Sequence, residues 1–229
     1  MNPLDQTVLQ QLFTHARTHS NWQDRGIAAD TLRQLYQLTA MGPTSMNAQP
    51  GRFVFLTTPA AKQQLLPALA EGNRDKTLAA PVTVIVAHDP AFYRHLPELF
   101  PHMEGVDKMF ADNEELAQST AFRNGTLQGA WLIMAARALG LDCGPMSGFD
   151  NGKTDEIFFT ENGWKSNFWS TSATAIRKNS TPEASGWSLK RPACCCRTAP
   201  QTSGNKKCRC SHDQKCPLEL LVQNIFDPI

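Results

Sequence analysis

Gly42-Pro43-Thr44-Ser45-Met46-Asn47-Ala48-Gln49-Pro50, running on into Arg52-Phe53-Val54, is the stretch on which the reading of this chain turns. Gly42-Pro43 stops the helical pattern before it, and Arg52 to Thr57 (RFVFLT) is a short β-rich run after it. The segment is therefore a loop between a helix and a strand. It offers two hydroxyls, Thr44 and Ser45, and two amides, Asn47 and Gln49, with Pro43 at its start. Such a set can hydrogen-bond a polar heterocycle or a phosphate without bringing charge. The same residue types also make a capped turn, and spacing alone leaves both readings open.

Working outward, Leu4, Val8, Leu9, Leu12 and Phe13 have the spacing of an amphipathic helix. A second helix is predicted from Asp30 as N-cap through Leu32, Leu35, Tyr36 and Leu38 to Gly42. Thr58 as cap and Pro59 in the first turn open a third, which Gly72 is expected to end. Val82 to Ala87 (VTVIVA) is a continuous β-branched run, the pattern of a buried strand. Residues 90–112 are rich in Pro and aromatics and read as irregular, with the character of a lid. Glu114 to Leu139 is the longest helical pattern, with Leu116, Leu127, Trp131, Met134 and Ala138 near one stripe and Gly140 at its end.

Three further groups carry chemistry. Ala16-Arg17-Thr18-His19-Ser20-Asn21 offers a guanidinium fork suited to phosphate, although a lone Arg at a helix end is also an ordinary solvated side chain. Asn73 and Lys76 precede the buried strand, where a basic residue also suits a helix C-terminus. Gly144-Pro145-Met146-Ser147-Gly148-Phe149-Asp150 follows the long helix and exposes backbone N–H groups, toward a ligand or simply in a turn. GxGxxG after a strand, a Walker A loop, HExxH and G-x-S-x-G are all missing. His88, His95 and His102 lack acidic or Cys partners at ligand spacing, so no metal site is expected.

The 229 residues suffice for one full domain or two small ones, and the formal charge of +1 argues against a generic nucleic-acid binder. No apolar run reaches the ~20 residues of a membrane helix. No signal-peptide pattern opens the chain, so a soluble, cytoplasmic protein is expected. The totals conceal a break. Residues 1–168 carry 13 Lys/Arg and 17 Asp/Glu, whereas residues 169–229 carry 9 and 4. Six of the seven cysteines, Cys194, Cys195, Cys196, Cys208, Cys210 and Cys216, lie in the second segment. Within it, residues 169–216 have neither helical nor strand periodicity, and the segment reads as disordered. A zinc-binding interaction tail on a cofactor-free remnant is the alternative of another class, but Cys208-x-Cys210-x-His212 and Cys216 lack the usual knuckle spacing.

The groups stand in the order of a known family. The chain resembles the nitroreductase-like FMN family. GPTSMNAQPGRFVF is similar to its P-S-S-x-N-x-Q-P-W-R-F signature, with Gly51 where Trp is common. Arg17 resembles the family's early phosphate-binding Arg. Asn73 and Lys76 resemble an N-x-x-K pair beside the flavin pyrimidine and ribityl chain. GLDCGPMSGFD resembles the loop that meets the flavin N5 and O4 edge, with Ser147 where many members carry Glu. Within the family, ARTHSNW, MGPTSMNAQP, LPALAEGNRDKTLAAPVTVIVAHD, TAFRNGTLQGAWLI and RALGLDCGPMSGFD resemble the malonic semialdehyde reductase branch, which forms 3-hydroxypropionate in pyrimidine breakdown. A general nitroreductase or quinone reductase is the alternative.

The resemblance implies an α+β fold, an antiparallel central sheet flanked by helices, over residues 1–168. It implies a homodimer with FMN at its interface, each flavin held by both subunits. NADH or NADPH gives hydride to flavin N5 and leaves; a small aldehyde or other electrophile then takes its place, in ping-pong order. No side chain is catalytic. The implied cofactor residues are Arg17, His19, Asn21, Pro43, Thr44, Ser45, Asn47, Gln49, Asn73, Lys76, Pro145, Met146, Ser147 and Gly148. Arg123 and His19 are candidates for a substrate carboxylate.

After Phe168 the family continues with a hydrophobic strand ending in N-I-G-Y-G, and this chain does not. Joining the third base of each codon to the first two of the next permits LVNIGYGDPEKLYPRGLRLEFEEACLLL and then a stop at Cys196-Arg197. One missing base near Phe168 accounts for the Cys triplet and the composition. The chain as written then lacks a strand and the family's C-terminal basic residue, and is expected to retain FMN weakly or not at all.

Overall fold

Val82–His88 (β2) has apolar side chains at both parities, so both of its faces must be covered. In the computed structural model, which describes residues 2–173, all seven of its residues are buried. β2 pairs antiparallel with Gly51–Leu56 (β1) on one side and Lys165–Ala173 (β4) on the other, and β4 pairs with Asp142–Met146 (β3). The strand order is β1-β2-β4-β3, so β1 and β3 are the two edges. This is the expected antiparallel sheet flanked by helices.

Preceding the sheet are α1 (Gln6–Leu9), a π turn (Gln10–Thr14) and α2 (Ala29–Ala40). Between strands lie α3 (Pro59–Leu65), α4 (Glu71–Ala79), α5 (Leu96–Leu99), α6 (Val106–Ala111), α7 (Glu114–Ala138) and α8 (Asn151–Phe158). On one face Val82, Val84 and Val86 pack with Leu35 of α2, Leu132, Ala135 and Ala136 of α7, and Cys143. On the other, Ile85, Ala87 and Trp169 pack with Leu56, Leu65, Leu69 and Phe159. Each fully buried side chain of this size is worth ~1.5–3 kcal/mol. No helix among the described residues is long and apolar enough to cross a membrane.

Several boundaries differ from the sequence reading. Asp30 is not the N-cap of α2: Ala28 holds that place, and Asp30 lies in the first turn, where a carboxylate suits the helix dipole and meets Arg33. Thr58 caps α3 as expected, accepting from Ala61 N at 3.2 Å. Gly72 does not end it; a 3₁₀ turn through Pro67 does, and Gly72 lies inside α4. Residues 90–112 are not irregular. They form a 3₁₀ turn, α5 and α6, because Phe92, Leu96, Val106 and Phe110 bury against Ala117 and Ala121 of α7. The stripe of Leu127 and Trp131 faces outward, at 48% and 42% exposure. Small residues and amides form the buried face of α7 instead. Finally, the strand expected to be lacking after Phe168 is present: β4 runs to Ala173 between β2 and β3, because ladder hydrogen bonds are made by the backbone whatever the side chains, and Trp169 and Ala173 bury fully.

His88 closes β2 and stacks edge-on against Phe122 at 5.6 Å. Burial pushes its pKa below the ordinary value, against the opposing fields of Asp155 and Asp89. The neutral ring is the form that folds, so its contribution is present above the unfolded pKa near 6.5 and lost as pH falls through the folded value. Denaturant melts from pH 7.5 to 5 should show this loss, and His88→Gln should flatten the slope.

Candidate functional site

The loop before β1 holds an unusual backbone. Met46, Asn47 and Gln49, none of them glycine, have φ of 52°, 49° and 45°. Left-handed backbone at such residues costs of order 1–3 kcal/mol each and persists only where the surroundings enforce it. Here the enforcement comes from α7. Asn124 Oδ1 accepts from Ser45 N at 2.8 Å, and Gln128 Oε1 accepts from Gly51 N at 2.7 Å. Gln128 Nε2 donates to Gln49 Oε1. Gln49 in turn donates from its backbone to Thr44 Oγ1 at 3.2 Å and from its side chain to Asn47 Oδ1 at 3.0 Å. Asn47 Nδ2 donates to Leu99 O at 3.0 Å. At the start of the loop Gly42 lies beneath Trp131, where a Cβ would come within 2.5 Å of the indole. The result leaves Pro43, Ser45 and Asn47 exposed, with Thr44 and Gln49 half-buried.

A second group assembles at the other edge of the sheet. Thr18 bridges Cys143 of β3, and His19 N donates to Cys143 O at 3.1 Å. His19 Nε2 lies 3.4 Å from Asp142 Oδ1. Gly144 allows this approach: a Cβ there would stand 2.3 Å from His19 O and 2.6 Å from Thr171 Oγ1. Arg17 donates to Thr14 O and Ala16 O, each at 2.8 Å, and lines a cavity of about 280 Å³ with His15, Arg137 and Asp142. Arg137 donates to Leu12 O at 2.9 Å, and Gln11 donates back to Arg137 O at 2.6 Å. β3 leads through Pro145 and Met146 to the exposed pair Ser147-Gly148. There Gly148 O accepts from Asn73 Nδ2 at 3.2 Å and from Ala70 N at 3.1 Å. Lys76 is half-buried on α4, one turn beyond Asn73. Asn21 is exposed and donates to Ser20 Oγ at 3.3 Å.

The structure thus joins Arg17, His19, Asn73 and the 145–148 segment through β3, and joins Pro43 to Gln49 through α7. It does not bring the two groups to one hollow within a chain. Their edge strands are three spacings apart, about 14 Å. The cavity at Gln49 is lined by Tyr36, Arg52, Phe53, His95 and Gln128 and by none of the first group. The donors suit a ligand with an anionic end and a polar ring: a guanidinium and an ammonium on one side, neutral amides and hydroxyls on the other. Arg123 is exposed on α7 and lines neither cavity. Cys143 is buried and its thiol is pushed up to about 11 by that burial, which leaves it inert as a nucleophile. No group of His, Cys, Asp and Glu among the described residues could hold a metal ion. The cysteines proposed for zinc lie outside those residues.

Sequence reasoning missed Asn124 and Gln128, each under 4% exposed. Their only signal was two amides one turn apart within a face otherwise made of small and apolar residues.

The chain belongs to the nitroreductase family, whose pattern it matches over residues 14–169. It is 56% identical over 168 residues to a protein of Burkholderia lata provisionally named an NADH dehydrogenase/NAD(P)H nitroreductase, covering 73% of this chain and 86% of that one. A similarly named protein of Stutzerimonas stutzeri is 52% identical over 165 residues, covering 72% and 84%. Among solved structures, a nitroreductase from Exiguobacterium sibiricum in complex with FMN superposes with a TM-score of 0.70 at 18% identity, covering 83% of this chain and 96% of that one. That likeness shows the fold.

Proposed function

We propose that the chain derives from an FMN-dependent NAD(P)H oxidoreductase that works as a homodimer and reduces malonic semialdehyde to 3-hydroxypropionate. The observation that carries the reading is the division of the donors between two opposite sheet edges, an arrangement that two copies would close on one ligand. An apolar surface suits that contact. Met41, Leu127 and Trp131 are 75%, 48% and 42% exposed, and Trp131 lies on Gly42 at the head of the loop.

In the proposed pair, Arg17 holds the FMN phosphate through charge-assisted hydrogen bonds, with His19 and Asn21 beside it. Asn73 and Lys76 present donors to the pyrimidine edge, where negative charge develops on reduction. Pro145, Met146, Ser147 and Gly148 line the N5 side. Pro43, Thr44, Ser45, Asn47 and Gln49 come from the second copy. Bound FMN would supply hydride acceptance and donation. The net reaction is aldehyde plus NAD(P)H plus a proton giving alcohol plus NAD(P)⁺. Replacing Arg17 by Ala should weaken FMN, titrated by its fluorescence, by at least about tenfold; unchanged affinity would reject its role. The names of the relatives favour a second reading, general nitroarene reduction, and turnover of malonic semialdehyde against a nitroarene by one preparation separates the two.

We infer as well that residues from 169 onward are read out of frame. The 168 residues aligned to the Burkholderia protein are 86% of it, so it is about 195 residues long; the shifted frame gives about 196, being 168 residues followed by 28. Packing supports the same inference. Ser170 and Ser172 are buried in β4 opposite Val84 and Val82, on the face where Phe168 joins the apolar cluster. The shifted frame permits Val and Ile at those two places. Trp169 Nε1 is buried without a partner, and the shifted frame permits Leu there. Sequencing the coding DNA across Phe168 decides the matter: third bases that do not spell this strand reject it. The chain as written is expected to lose FMN on gel filtration, and a stoichiometrically yellow preparation would refute that.

A further inference from the structure

We propose that Asn124 and Gln128 are positioning residues, two buried amides one helical turn apart on α7 that hold the left-handed loop in the conformation its exposed side chains need. The inference rests on the reading of that loop as flavin-facing, and adds to it the device that fixes its shape.

Three left-handed non-glycine residues within four positions do not persist by themselves. The loop's own side chains bond among themselves, from Gln49 to Thr44 and to Asn47, and reach outside the loop at Ala40 O from Gln49 and at Leu99 O from Asn47; none of these holds the backbone N–H groups of Ser45 and Gly51. The long-range restraints from α7 fall at both ends: Ser45 N to Asn124 Oδ1 at one, Gly51 N to Gln128 Oε1 at the other. Gln128 uses its second function on Gln49 Oε1, so both halves of its amide are spent on the loop. Asn124 is itself oriented by donating to Thr120 O at 2.9 Å. Gly51 must lack a side chain for this, since a Cβ there would stand 2.6 Å from Gln128 Oε1. Asn124 is 2% exposed, and Gln128, which borders the cavity at Gln49, has both halves of its amide engaged by the loop, so both act through it.

The test compares the full chain with Gln128→Leu and Gln128→Glu, reading amide hydrogen exchange at Gly51 and the dissociation constant of added FMN. Gln128→Leu should speed exchange at Gly51 and weaken FMN, each by about tenfold, one lost hydrogen bond's worth. Gln128→Glu should match the parent at low pH, where burial raises the carboxyl's pKa and keeps it neutral, so that it both accepts from Gly51 and donates to Gln49. By pH 8.5, with the proton gone, it should bind FMN several-fold more weakly. Tyr36, Arg52, His95 and Glu98 line the same cavity in every variant, so the parent's profile is the baseline, and a merely structural role gives no such divergence. Exchange and affinity equal to the parent's in both variants would overturn the proposal. Faster Gly51 exchange without FMN binding, both in this chain and in one whose reading frame is restored after Phe168, would uphold the positioning and overturn the flavin reading instead. Should Gln128→Leu fail to fold, the pH profile of Gln128→Glu decides alone.

Discussion

Ser170→Val together with Ser172→Ile is expected to stabilise the full chain by about 3 kcal/mol, the low end for burying two aliphatic side chains. For a chain of this size that is a rise in melting temperature of roughly 6–12 °C. The two serines are 1% exposed and lie on the sheet face made by Val82, Val84 and Val86. Their hydroxyls have little to gain there: Ser170 Oγ reaches Thr171 O at 3.3 Å, and Ser172 Oγ meets Cys143 Sγ at 4.0 Å. Thermal unfolding followed by circular dichroism measures the change. A fall in melting temperature would mean that the pocket is shaped for hydroxyls, and would count against the shifted frame as strongly as a rise supports it.

Gly144→Ala is expected to destabilise by about 3 kcal/mol, the top of the usual range for overpacking. The added methyl meets the backbone oxygen of His19 at 2.3 Å and Thr171 Oγ1 at 2.6 Å. A carbonyl cannot move aside as the end of a flexible side chain can, so relief requires parting the 18–19 segment from β3. That parting breaks the bond from His19 N to Cys143 O and shifts Arg17. Chemical denaturation measures the loss, and Gly26→Ala is the control, since nothing lies within 4 Å of a Cβ there. Equal midpoints for the two variants would show that the junction yields easily.

The sheet was legible where composition left one solution. β2 is apolar at both parities and had to be central. Thr58-Pro59 marked a helix start because the cap chemistry is local. The 43–50 loop reads as a ligand loop only through its resemblance to a family motif; its residues alone fit a turn equally well. α7 was misread for a definite reason. Periodicity reports that Leu127 and Trp131 share a face with Leu116, but not whether that face meets the same chain or another. Apart from Leu132, the core side of α7 is built of Ala, Gly, Asn and Gln, which carry little hydropathy signal. The edge positions of Arg17 and Asn47 follow from strand order, a non-local property that no short window of residues contains.

That strand order has a genetic consequence. In the pairing proposed above, lesions at Arg17 and at Asn47 would sit on different edges, so both defects of a mixed pair would fall at one composite centre and leave the other whole. Two inactive alleles expressed together would therefore complement, and output would track how often copies meet rather than how many exist.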